Sequence, residues 1–95
     1  MLIGYIMKKN IYKILEDNIY KNIKYKLNIL EQMDLENYIK CSVDQIQNEI
    51  LDQKSIIKIL KENIFNNFKY KLDFLEQMYL ENYIDNSVDI IMKKK

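Results

Sequence analysis

One stretch of this chain occurs twice. Lys24–Ile39 (Lys-Tyr-Lys-Leu-Asn-Ile-Leu-Glu-Gln-Met-Asp-Leu-Glu-Asn-Tyr-Ile) returns as Lys69–Ile84, 45 positions later, with few changes. The likeness extends from Ile11–Ile46 against Ile56–Ile91, with two-thirds of the aligned residues identical. A period of this size belongs to repeated helix pairs, and it constrains the fold more than any other feature. Two such units are too few for a free-standing solenoid, so their apolar faces must close on each other or on a second chain.

The periodicity inside each unit is helical. Ile11, Leu15, Ile19, Ile23, Leu27 and Leu30 recur at spacings of four and three, as do Ile56, Leu60, Ile64, Phe68, Leu72 and Leu75. This places Leu30 and Leu75 in the core. A spacing of four, held so long, slants around a helix of 3.6 residues per turn. Such slanted ridges suit bundle packing better than a strict heptad seam. A second stripe, Leu35, Ile39, Val43, Ile46 and Ile50, lies on the opposite face, so one straight helix cannot serve both. The phase change predicts a tight turn near Met33–Asp34 and another near Met78–Tyr79. Asn10 and Ser55 are the expected N-caps of the long helices. Ser42-Val-Asp-Gln45 reads as a capping box and offers an alternative break, but the stripe runs through it without a phase change.

These signals predict an all-α fold: two tandem helix-turn-helix repeats of 45 residues, closing as a four-helix arrangement. The 95 residues make a single domain, with repeat one over about 11–54 and repeat two over about 55–95. Asp52-Gln-Lys-Ser55 is the polar linker, short enough to keep the repeats packed together. Residues 1–9 resemble the tail of a preceding repeat. Their apolar run is too short to span a membrane, which leaves a surface anchor as the minor alternative.

Composition excludes several kinds of chemistry. There is no His, Arg, Trp, Pro, Thr or Ala, and Gly4 is the lone glycine. Without His there is no proton-transfer group near neutral pH and no Ser–His or Cys–His pair. Zinc-ligand clusters and phosphate-cradling loops are missing too. The reading is therefore a non-enzyme with no cofactor and no metal. Fifteen Lys stand against fourteen acidic residues, a net charge of +1, and the Arg fork for phosphate and base recognition is absent. Nucleic acid is disfavoured as a partner, although Lys21, Lys24, Tyr25 and Lys26 interleave charge with aromatic rings. Glu16, Asp17, Glu31, Glu36 and Asp44 mostly lie off the apolar stripes and read as solvated surface. The single Cys41, replaced by Asn86 in the second repeat, cannot form an internal disulfide. It reads as an inert, half-buried thiol in a reducing, cytoplasmic compartment. The Ile, Asn, Lys and Tyr bias is what an AT-rich coding sequence produces.

The candidate partner-binding residues come from the duplication. Asn18, Asn22 and Lys26 form a row at successive fours, repeated as Asn63, Asn67 and Lys71; it lines a partner surface or pairs across the halves. Tyr25 and Tyr70 are duplicated tyrosines suited to interface anchoring, or to bordering the core with the hydroxyl in water. Tyr79 replaces Asp34, a large aromatic in place of an acid. The repeats also differ at Glu16/Lys61, Lys21/Asn66 and Lys40/Asp85, which are expected at exposed or boundary positions.

Ser42-Val43-Asp44 and Ser87-Val88-Asp89, late in each hairpin, are weakly similar to the small two-helix aspartyl-phosphate phosphatases of sporulation control. That family carries Ser-Gln-x-Leu-Asp. Here Asp follows Ser by two residues instead of four, which puts the side chains on different helix faces. The resemblance implies, as an alternative, a regulator acting on a response-regulator aspartate. A structural homo-oligomer or homodimer is a further alternative. The primary expectation is a small helical protein-binding module, an inhibitor, adaptor or regulator, in the style of phage and mobile-element proteins.

Overall fold

The computed structural model describes the backbone of residues 2–48 and 51–94 and the side chains of 8–48 and 51–93. Four helices run through the described residues: α1 (residues 2–26), α2 (Ile29–Asn48), α3 (residues 53–71) and α4 (Phe74–Lys94). Helix α1 packs on α2 and α4, and α3 packs on α2 and α4, so α1 and α3 lie on one diagonal and α2 and α4 on the other. Short connections make sequence neighbours antiparallel. Both hairpin turns therefore sit at one end of the bundle, and the linker between the repeats sits at the other. The long axis of 39 Å matches a 25-residue helix at 1.5 Å per residue, about 37 Å.

The turns fall at Leu27–Asn28 and Leu72–Asp73, six residues earlier than the expected Met33–Asp34 and Met78–Tyr79. Leu27 (φ −114°, ψ 141°) and Leu72 (φ −117°, ψ 141°) are extended and break the helix. Asn28 and Asp73 then cap α2 and α4. The Glu31 amide donates to Asn28 Oδ1 at 2.8 Å, and the Asn28 amide donates back to Glu31 Oε1 at 2.9 Å. Asp73 and Glu76 repeat this at 2.8 and 3.0 Å. This reciprocal capping box satisfies amides that a helix start otherwise leaves unpaired, and it replaces the missing Gly or Pro as stop signal. Leu30 and Leu75 consequently begin a new helix and point outward, 71% and 59% exposed, so their assignment to the core is corrected.

Two other caps move as well. Asn10 lies inside a helix that already runs from Leu2, so it caps nothing. Asp52, not Ser55, caps α3, accepting the Ser55 amide at 2.8 Å; that bond holds the Asp52 carboxyl below its ordinary pKa. The alternative break at Ser42 is absent. Helix α2 is continuous there, and Ser42 is fully buried, donating to the Tyr38 carbonyl at 2.8 Å, as Ser87 does to Tyr83 at 2.7 Å.

Both long helices widen in the middle. Glu16–Tyr20 and Lys61–Phe65 are π-helical, closed by bonds from the Lys21 amide to Glu16 and from the Asn66 amide to Lys61. Each four-residue step overshoots an α-turn by about 40°. Four steps from Ile11 to Leu27 would carry the stripe nearly to the far side. A π-turn winds less angle per residue and takes back part of that drift. All ten stripe residues, Ile11 to Leu27 and Ile56 to Leu72, are thereby buried. Leu35, Ile39, Val43 and Ile46 and their copies Leu80, Ile84, Val88 and Ile91 complete the core. Ile50, the last of the expected stripe, lies outside the described residues.

Candidate functional site

The turn end of the bundle is tied together across the two hairpins. Tyr25, at the end of α1, donates its hydroxyl to Glu76 Oε2 at 2.8 Å, and Lys26 Nζ lies 3.1 Å from the same oxygen. Tyr70 and Lys71, at the end of α3, meet Glu31 Oε2 at 3.1 and 3.2 Å. Each glutamate thus caps its own helix with one oxygen and binds the neighbouring hairpin with the other. Backbone bonding first, then Tyr25 and Lys26, hold the Glu76 carboxyl down to about 2. Glu31 is lowered by the same kinds of partner, led by the Asn28 amide. The expectation that Glu31 is simply solvated surface is corrected on this geometry.

The Asn rows divide into different tasks. Asn22 and Asn67 donate to the carbonyls of Asn18 and Asn63, both at 2.8 Å, inside the widened turns. Asn63 reaches across to α2, donating to Ser42 Oγ at 3.1 Å and Gln45 Oε1 at 2.7 Å. Asn18 makes no matching side-chain bond among the described residues: Ile90 stands in place of the acceptor Gln45, and Ser87 bonds to Tyr83 alone. Lys26 and Lys71 pair across the halves as described.

Tyr25 and Tyr70 are anchored at the hydroxyl while their rings stay about 70% exposed. Around them lie the largest apolar groups outside the core. Ile29, Leu30 and Met33 start α2, and Phe74, Leu75 and Met78 start α4, at 46% to 76% exposure. Positions i, i+1 and i+4 share one helix face, here the face opposite the core stripe. Tyr79 adds to the second patch at 51% exposure; it stands in the second turn of α4, not at a hairpin turn as expected. The sequence reading missed this surface. Leu30 and Leu75 are expected in the core, Met33 and Met78 at the turns, and Ile29 and Phe74 are given no place.

The charge-altering differences singled out between the repeats do fall at exposed or half-buried positions: Glu16, Lys21, Asp34, Lys40 and their counterparts. Cys41 is exposed, not half-buried. Asp44 and Asp89 sit on the diagonal helices α2 and α4, so they share no groove. Asp44 pairs with Lys8, and Asp89 accepts from Gln53 at 3.0 Å. Among the described residues there is no group of three side chains suited to hold a metal ion, and no helix long and apolar enough to cross a membrane. Set against protein-family models, curated proteins and solved structures, the chain matches none of them significantly.

Proposed function

We propose that this protein is a non-catalytic binding module that docks another protein on the turn end of its bundle, as an inhibitor, adaptor or regulator. One observation carries the reading. Six large apolar side chains, Ile29, Leu30, Met33, Phe74, Leu75 and Met78, remain in solvent although the core is complete without them. Clusters of large apolar side chains left exposed, here one at the start of α2 and one at the start of α4, mark interaction sites. The capping boxes and the Tyr–Glu bonds hold its backbone fixed, which lowers the ordering cost of docking. Tyr79 gives the second patch an aromatic anchor where the first has Asp34, so the α4 patch is the main contact. A reducing, intracellular compartment suits the free Cys41. The AT-rich residue usage is in keeping with a phage or mobile-element source.

The test is site-specific photo-crosslinking from positions 30 and 75 in the native host. A discrete cross-linked protein partner is expected, and Leu75→Glu with Met78→Glu should abolish it while circular dichroism stays unchanged. Cross-links only to lipid or nucleic acid, or only to this chain, would refute the reading. The duplication favours one second reading. Two equivalent patches on one molecule also suit a homo-oligomer, and sedimentation of the pure protein distinguishes this, since self-association through the patches gives dimers or larger species.

A further inference from the structure

A separate site lies away from the apolar patches, in the groove between α1 and the second half of α2. It is a pocket of about 340 Å³ lined by Lys8, Lys9 and Tyr12 on one side and Lys40, Val43 and Asp44 on the other. That volume is within the range of small-molecule sites. Three lysines and one aspartate line it, and Asp44 is engaged by Lys8. Val43 is buried, and the half-buried Tyr12 gives the pocket an apolar wall. The carboxylates of Glu16 and Glu36 lie further along the groove beside Tyr12 and mark its acidic edge.

The duplication provides a comparison inside the same molecule. The equivalent groove lies between α3 and α4, where α3 starts at Gln53, and there Gln53 stands for Lys8, Ile57 for Tyr12 and Asp85 for Lys40. The Gln53–Asp89 bond takes the place of the Lys8–Asp44 pair. One groove therefore carries three cations and one anion, and its copy carries Lys54 against Asp85 and Asp89. Further along, Lys61 and Glu81 join across the copy at 3.5 Å, whereas Glu16 and Glu36 occupy those positions in the first groove. Folding does not require the basic version, since the acidic one packs equally well.

We propose that the pocket of Lys8, Lys9, Tyr12 and Lys40 binds a small phosphate ester. Lysines are compact point charges that serve phosphate oxygens without the planar geometry a carboxylate fork needs. The space exceeds that of a bare phosphate, and Tyr12 and Val43 supply a surface for an apolar or aromatic body.

The experiment titrates phenyl phosphate into the intact chain at low salt, by calorimetry and by amide chemical shifts. Saturable binding is expected, with shifts concentrated at Tyr12, Lys40 and Val43. Lys40→Asp, which installs the residue that α4 already carries at this place, should weaken it by about tenfold or more. Lys54→Asp, in the other groove, should leave it within about twofold. Phosphatidylglycerol vesicles form a second arm that distinguishes a lipid headgroup from a free ester as the source. Absence of saturable binding overturns the proposal, as does an equal loss in both variants, which would reflect net charge alone. Retention on vesicles without a response to phenyl phosphate overturns it too.

Discussion

Tyr25 and Glu76 are 51 residues apart in sequence, yet the tyrosine hydroxyl lies 2.8 Å from a carboxylate oxygen whose partner oxygen caps α4. One side chain thus fixes where a helix starts and where the other hairpin docks. The exposed ring of Tyr25 stands beside the apolar start of α4 for the same reason.

This arrangement makes stability depend on acid. The Glu76 carboxyl is held at about 2, below its ordinary value of 4.5, and Glu31 is lowered in the same direction. A group depressed in the folded state contributes stability that is complete above its unfolded pKa and is lost as pH falls through its folded one. The melting temperature should therefore fall between about pH 5 and pH 2. Glu76→Gln should lower the melting temperature at neutral pH and flatten this slope, measured by circular dichroism. An unchanged slope would mean that the carboxylate is not held as described.

The position of the turn has a mutational signature. Leu15 is fully buried, and Leu15→Ala should cost about 2–5 kcal/mol in urea unfolding. Leu30→Ala should cost less than about 0.5 kcal/mol, as exposed substitutions do. Similar losses at both positions would return Leu30 to the core.

The two widened turns should differ in strength. Asn63→Ala removes two bonds to α2 and leaves the buried Ser42 with one partner fewer, a cost of about 1–2 kcal/mol. Asn18→Ala should stay within about 0.5 kcal/mol. Equal effects would show that the asymmetry between Gln45 and Ile90 is without consequence.

On the proposed binding function, Tyr79→Ala should weaken binding of the cross-linked partner by more than about 1 kcal/mol with little change in melting temperature. Asp34→Ala should do neither. Calorimetry on the two variants decides it, and equal binding losses would make the two patches equivalent.

The helical class, the two-unit organisation and fourteen of the eighteen buried apolar positions were legible, because periodicity reports which side chains share a face, and the other four, Leu80, Ile84, Val88 and Ile91, follow from the 45-residue offset. The turns were not. Leu27 and Leu30 are three apart, a legitimate helical step, so the stripe in the sequence continues across a break that no Gly or Pro announces. The signal present was Asn28 followed three residues later by Glu31, and Asp73 followed by Glu76, which are capping boxes of the Asx type. Misplacing the turn also concealed the exposed apolar surface, since Ile29, Leu30 and Met33 are apolar whichever way they face. The π-turns leave no mark of their own. A row of fours reads as a slanted ridge unless the burial of every member is known. Asn63 could be singled out but not explained, since its partners lie on another helix.

The paired bonds at the turn end carry an evolutionary consequence. Exchanging the two hairpins maps Tyr25–Glu76 onto Tyr70–Glu31 and Lys26–Glu76 onto Lys71–Glu31. Two separate copies of one ancestral hairpin would have met through these same bonds, each giving the other what it received. Such a pair exists only above its dissociation constant. Joining both hairpins in one chain confines them at an effective concentration on the order of millimolar, which makes the partnership permanent. It also releases the halves from identity: a change acceptable on one side no longer has to be acceptable on both. Lys40 and Asp85, or Asp34 and Tyr79, are divergences that a true dimer of identical chains can never acquire.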